Sequence, residues 1–238
     1  MARSVVVLGA RNLGGAIVDH FVERGWNAAA IARSAETVES VRGRGAMGIQ
    51  ADASDPAALR EALAAARGQL GSLHAVVNAA SAARPPAQGP FGGGNLADAD
   101  LDAFRGWTAA VAEQAFVFLS AGAEALAPDG GALVQITGGS SRRAMPGKGL
   151  WAAGAFATRA LVQAAAQELR EDGIHVALLV VDATIESRKT ERLTREQPRD
   201  ALADQALVAS AVGFLVDQQP RALTHELTVT PAGDRWVP

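Results

Sequence analysis

The sequence predicts one α/β domain over residues 1–238, a seven-stranded parallel sheet doubly wound with helices on both faces. Three observations predict it. Short apolar runs alternate with helix-period segments from one end to the other. The first run ends in a glycine cluster that opens a helix. No linker, repeat or change of composition divides the chain.

The elements follow in order. Residues 5–8, Val-Val-Val-Leu, read as a buried strand and 13–24 as the helix after it. Residues 28–32 form a second strand, 35–44 a second helix and 47–51 a third strand. Pro56 suits a first helical position and Asp55 an N-cap, so a helix runs over 56–70. Further strands are expected at 73–79, 132–137, 174–181 and 227–230, with long helices over 99–126, 150–171 and 201–218. Such alternation implies right-handed crossovers, and a sheet that binds ligands beyond its carboxyl ends where strand order reverses. Two irregular stretches follow strands and should border that mouth: 81–95, rich in Pro, Gly and Ala, and 184–200, rich in charge. The second is expected to act as a mobile lid.

Composition narrows the function classes. A net charge of −3 gives no whole-molecule field that favours nucleic acid or an anionic membrane. The absence of cysteine excludes disulfides, thiolate metal sites and cysteine nucleophiles. His20, His74, His175 and His225 lie far apart in sequence and show no metal-ligand spacing, so no metal is expected. The apolar run ending at Gly9 is too short for the core of a signal peptide. No apolar stretch of bilayer length is free of charge or glycine. The expectation is a cytoplasmic protein with neither membrane nor nucleic-acid partners.

Gly9-Ala10-Arg11-Asn12-Leu13-Gly14-Gly15 lies between the first strand and the first helix. Bare backbone there lets a pyrophosphate approach, and the helix N-terminus offers N–H groups and a positive dipole end, as in Rossmann-type dinucleotide sites. The second strand ends in Ala32-Arg33-Ser34, with no carboxylate to bind ribose hydroxyls but a guanidinium suited to a 2′-phosphate. Arg11 adds a second cation. The other reading of both arginines is an ordinary solvated surface. Ala51-Asp52 ends the third strand and Asn78-Ala79-Ala80-Ser81 the fourth.

These residues, in this order, resemble the short-chain dehydrogenase/reductase family over nearly the whole chain. Gly9 and Gly15 match the outer glycines of its Gly-x-x-x-Gly-x-Gly, with Leu13 in the middle and Gly14 displaced by one. Asp52 looks like the family's adenine-contacting aspartate, and Asn78 matches the first residue of Asn-Asn-Ala-Gly. The arginines resemble the NADP-preferring branch. The resemblance therefore implies NADP(H), held by Gly9, Arg11, Asn12, Leu13, Gly15, Arg33, Ser34, Asp52, Asn78, Ala79 and Ile185.

The catalytic half departs from the family. Trp151-Ala152-Ala153-Gly154-Ala155 looks like the segment that carries the family's Tyr and, four residues on, its Lys. Trp151 thus stands at the Tyr position, Ala155 at the Lys position and Gly138 at the Ser position. Glu113 falls near the position of the relay Asn, and the family's Pro-Gly becomes Asp182-Ala183. A shifted register cannot restore the tyrosine, because the protein contains none. An indole N–H donates but does not titrate.

Glu113, Ser140, Asp182 and Trp151 are the candidate catalytic residues. Glu113 would serve as an acid if buried beside indole, where a carboxyl pKa rises, and otherwise is a solvated helix residue. Ser141, Glu186, Arg142, Arg143 and Lys148 border the same mouth, and Arg159 could replace part of the missing Lys charge. Trp151 and Trp107 could stack an aromatic ligand or pack a core. Three readings stay open: an NADP(H)-dependent reductase with another proton donor, a silent NADP(H)-binding sensor or subunit, and a non-redox isomerase or lyase. The partner expected is a small-molecule substrate, aromatic or anionic. The resemblance also implies a homodimer or homotetramer, formed through helices 99–126 and 150–171 and the C-terminal strand, with Trp236 near the interface.

Overall fold

Runs of Ala, Val, Leu and Ile with no polar alternation form strands buried on both faces, as a parallel sheet covered by helices requires. The structure, a computed structural model, describes residues 2–234, and for Leu193 the backbone alone. The expectation for Trp236 lies outside the described residues. Six strands come first: β1 (Ser4–Leu8), β2 (Asn27–Ala32), β3 (Met47–Gln50), β4 (Ala75–Asn78), β5 (Gly131–Gly138) and β6 (Ile174–Val181). A short separate pair, β7 (Thr184–Ile185) with β8 (Leu202–Ala203), precedes β9 (Glu226–Val229). The main sheet has seven parallel strands in the order β3-β2-β1-β4-β5-β6-β9, so strand order reverses between β1 and β4.

The helices are α1 (Leu13–Glu23), α2 (Ala35–Arg42), α3 (Pro56–Leu70), α4 (Leu101–Phe104), α5 (Ala110–Leu126), α6 (Gly149–Glu168), α7 (Glu191–Thr194) and α8 (Gln205–Val216). Alternate strand residues feed two cores. On one face Val6, Leu8, Ile31, Val76 and Leu133 meet Leu59 and Leu63 of α3, Phe118 of α5 and Val162 of α6. On the other Val5, Val7, Val77, Val134 and Leu179 meet Ile17 and Phe21 of α1 and Val208, Val212 and Leu215 of α8.

Several boundaries differ from the sequence reading for local reasons. Asp55 caps α3 as expected, accepting from the Ala57 and Ala58 N–H groups at 2.9 Å. Asp100 caps α4 and Asp204 caps α8 in the same way, so these helices start at 101 and 205 rather than 99 and 201. Leu202 and Ala203, freed from helix, extend and pair with β7. The stretch expected to be a mobile lid is tied down at its base. Thr190 Oγ1 donates to Ile185 O at 2.6 Å, and Gln205 Nε2 to Glu186 O at 2.6 Å.

The expected helix over 99–126 is interrupted at Arg105–Ala109 by a π-helical turn that joins α4 to α5. Among the described residues Leu101–Leu126 is the one helical run long and apolar enough to cross a membrane. In the fold it packs on α3, α6, β4 and β5 as a core helix.

His175, on β6, is buried and donates from Nε2 to Thr224 O at 3.0 Å. Burial is the main cause of a pKa lowered from 6.5, with His225 beside it acting in the same direction. A depressed histidine pKa means that the unfolded chain binds the proton first as pH falls. Its contribution to stability is therefore complete above pH 6.5 and is lost as pH drops below that value. Urea unfolding at pH 7.5 and pH 5.5 should give the lower midpoint at pH 5.5. His175→Gln should flatten that dependence, which for one proton is at most about 1.4 kcal/mol per pH unit.

Candidate functional site

The turn between β1 and α1 is set by contacts that tolerate no side chain. Gly9 has φ +79 and donates its N–H to Ile31 O at 2.9 Å. A Cβ there would come within 2.6 Å of Ala80 Cα, beyond the end of β4. A Cβ on Gly14 would overlap Gly9 O, and one on Gly15 would lie 2.8 Å from Ala10 O. Leu13 turns into the α1 core, and the displaced Gly14 supplies the bare backbone in its place. Asn12 gives α1 no side-chain cap, so the N–H groups of Leu13 and Gly14 have no side-chain acceptor. That is the arrangement an anion needs.

Arg11 and Arg33 are exposed, and neither forms an ion pair among the described residues. Ser34 caps α2, with Oγ accepting from Thr37 N at 3.2 Å and 2.8 Å from Thr37 Oγ1. Asp52 Oδ1 accepts from Ser54 N at 2.9 Å and Ser54 Oγ at 2.6 Å. The Ser54 hydroxyl is the main cause holding the Asp52 pKa below 3.8, aided by the Ser54 N–H, Arg33 and Arg84 against the opposing effect of burial. Arg84 was not singled out from the sequence. Its guanidinium lies 3.9 Å from Asp52 Oδ2 and donates to Ser54 Oγ. No local pattern in the Pro- and Ala-rich 81–95 stretch signals that reach.

Asn78 is fully buried at the end of β4. Its Nδ2 donates to Gln135 Oε1 at 2.9 Å and Gln114 Oε1 at 3.5 Å, and its Oδ1 accepts from Ala80 N at 3.2 Å. Ala79 N donates to Leu8 O at 3.0 Å, which joins β4 to β1 where strand order reverses. Gln114 and Gln135, like Arg84, were not singled out from the sequence. The available signal was the helical spacing of Gln114 from the buried Phe118.

That spacing corrects the expectation for Glu113. Its side chain is exposed, one position off the inward face, and Gln114 takes the buried place beside Asn78. A carboxyl buried against indole is therefore not present at residue 113. Trp151 is half-buried, 4.4 Å from Phe91 and 5.7 Å from Trp107 between ring centroids. Phe91 also meets Trp107 at 5.2 Å, edge to face, and stays 59% exposed. The Lys148 ammonium lies 5.7 Å from the Phe91 ring. Ala155 is buried, at 1% exposure. A Cβ on its neighbour Gly154 would lie 2.9 Å from the carbonyls of Trp107 and Thr108 in the π turn.

Arg159 does not replace the missing Lys charge. It is bidentate to Glu226 on β9, at 2.8 and 3.1 Å, and Arg142 joins the same carboxylate at 3.1 Å. Ser140 is half-buried in the turn Gly139–Ser141, and the Ser141 hydroxyl donates to Gly138 O. Asp182 is buried just beyond β6, 3.2 Å from Arg143 Nη2. Ile185 lies in β7, and its carbonyl is taken by Thr190. The structure thus brings Asp182, Arg143 and the 139–141 turn together, while the Glu113 side chain is exposed.

The sequence pattern of the family described as enoyl-(acyl carrier protein) reductase matches residues 7–233. No curated protein matches the sequence. Among solved structures, an alcohol dehydrogenase from Thermococcus sibiricus, complexed with 5-hydroxy-NADP, superposes with a TM-score of 0.80 at 19% identity, covering 100% of both chains. An NADPH-bound short-chain oxidoreductase from Pseudomonas aeruginosa, described as containing an atypical catalytic center, gives 0.81 at 20% identity over 99% of this chain and 98% of that one. A short-chain dehydrogenase from Rhodopseudomonas palustris gives 0.72 at 24% identity, over 96% and 98%.

Glu226→Ala would leave two guanidinium groups facing each other without their shared carboxylate. The three side chains keep 22–30% exposure, so solvent screening reduces the cost of a broken ion pair. The expected loss is about 1–2 kcal/mol in urea unfolding, with an unchanged m-value.

Proposed function

The chain belongs to the short-chain dehydrogenase/reductase family, and from that premise we propose that it is an NADP(H)-dependent oxidoreductase that works without the family's tyrosine. The observation that carries this reading is the side-chain-free turn under the α1 N-terminus, flanked by two exposed arginines that form no ion pair among the described residues. The main-chain N–H groups of Asn12, Leu13 and Gly14 would hold the pyrophosphate, with Gly9 and Gly15 giving it bare backbone to approach. Arg11, Arg33 and the Ser34 N-cap would take the 2′-phosphate, and Asp52 the adenine edge. Asn78 and Ala79 keep β4 against β1 beneath the dinucleotide, and Ile185 borders its far half. The NADP compounds in the two superposed structures agree with this choice of cofactor.

When bound, the cofactor supplies or accepts the hydride. The chain's own part is to orient a carbonyl, imine or enone. The aromatic trio Phe91, Trp107 and Trp151 suits a flat apolar or aromatic substrate, with Lys148 and Ser140 beside it for polar substituents. A second reading, a catalytically silent NADP(H) binder, is favoured by the burial of Ala155 and the packing of Trp151 where an acid–base group should stand. For assembly, α5 and α6 expose Phe116 (59%) and Phe156 (41%), in keeping with a homodimer or homotetramer formed through these helices.

Calorimetric titration tests the cofactor. NADPH should bind well above NADH, and Arg33→Ala should weaken NADPH by roughly tenfold, the loss of one charge-assisted contact, while leaving NADH nearly unchanged. Absence of binding by either nucleotide would end the reading. If NADPH binds, turnover across a carbonyl, imine and enone panel separates the oxidoreductase from the silent binder.

A further inference from the structure

Beyond the end of β6 lies a carboxylate oxygen without a hydrogen-bond partner among the described residues. Asp182 is 7% exposed, and its Oδ1 accepts from Arg143 Nη2 at 3.2 Å. Its Oδ2 is buried and has no hydrogen-bond partner among the described residues. The position is held from several sides. The Asp182 N–H donates to Val229 O at 3.0 Å, and Arg143 fixes one carboxylate oxygen. Across the turn, a Cβ on Gly139 would overlap the carboxylate. The glycine at 139 therefore leaves room for a side chain from the next strand, and the oxygen that enters is acceptor-only.

An orphaned carboxylate oxygen calls for an N–H or O–H donor from outside the chain. A dinucleotide in a doubly wound fold lies across the strand ends, with one half on each side of the reversal in strand order. Here the glycine turn and the arginines mark the β1–β2–β3 side as the adenosine half, so the nicotinamide half falls over β4, β5 and β6. The uncharged hydrogen-bond donor of a nicotinamide ring is its carboxamide. We propose that Asp182 Oδ2 accepts a hydrogen bond from the carboxamide N–H of the bound cofactor, with Arg143 and Gly139 fixing the carboxylate for it. Asp182 is then a cofactor-positioning residue. The inference rests on the NADP(H) reading above.

The test compares three ligands by calorimetry on the full chain: NADP+, its 3-acetylpyridine analogue, which keeps the carbonyl but lacks the N–H, and 2′-phospho-ADP-ribose, which lacks the ring. The unaltered protein should bind NADP+ about tenfold tighter than the acetyl analogue, as loss of a charge-assisted hydrogen bond dictates. Asp182→Ala should bind the two equally and bind 2′-phospho-ADP-ribose as the unaltered protein does. An unchanged preference in Asp182→Ala, with 2′-phospho-ADP-ribose still bound, would overturn the Asp182 assignment alone. No binding of 2′-phospho-ADP-ribose to the unaltered protein would overturn the NADP(H) reading and the assignment with it. Should the alanine variant not fold, Asp182→Asn keeps the shape and removes the charge. Its preference should fall several-fold, and an undiminished preference counts against the assignment.

Discussion

The carboxyl edge of the sheet depends on the backbone of the β1–α1 turn lying directly against the backbone that leaves β4. At Gly9 the positive φ and the 2.6 Å approach to Ala80 exclude any side chain. The Ala79 N–H reaches Leu8 O across the same gap. Beneath it, Asn78 is held by Gln135 and Gln114 in a buried amide network, which fixes the spacing of β4 and β5 and the seat of α5. A buried polar network tolerates little shift, because each unmade hydrogen bond carries a desolvation penalty. The crevice above β1 and β4 therefore has a rigid floor, whatever occupies it.

The other half of the edge combines aromatic packing with charges that neutralise one another. Phe91, Trp107 and Trp151 meet there in edge-to-face and tilted ring contacts. Arg142 and Arg159 are drawn to β9 by Glu226, and Arg143 to β6 by Asp182. Basic residues close in sequence to the mouth are thus spent on binding the C-terminal strand to α6 and the 139–141 turn. Arg11 and Arg33 remain outward-facing at the opposite end. Exposed arginines without an ion pair among the described residues thus mark one end of the edge and aromatic packing the other.

The fold was legible because its signals are local. Apolar runs bounded by glycine mark buried strands, and Asp55-Pro56 announces a helix. Errors arose where a distant partner or a single cap decided the outcome. Asp204 starts α8 four residues later than periodicity suggests, and the freed Leu202–Ala203 pair with a strand that no pattern announces. Arg159 meets its carboxylate at residue 226, across the width of α6 and β9, so nothing around position 159 reveals that it is spoken for. Glu113 and Gln114 differ by one step on a helix, and only the phase set by Phe118 separates solvent from core. The glycine turn was readable as a motif, but the inward rotation of Leu13 and the compensation by Gly14 are properties of the packed turn.

The π turn at Arg105–Ala109 gives this helix a length that its path does not require. A wider turn stores one more residue than an α turn would over the same stretch of axis. Trp107 lies within this turn, 5.7 Å from Trp151, and Gly154 passes under the carbonyls of Trp107 and Thr108. Insertions and deletions are normally absorbed in loops, because within a helix they rotate everything beyond them. Here the slack sits inside the helix, next to the aromatic trio. A homologue one residue shorter in this segment would regain a straight helix, withdraw the indole and leave a hollow beside Trp151. Changes in chain length at this turn would therefore repack the aromatic trio without altering the residues that form it.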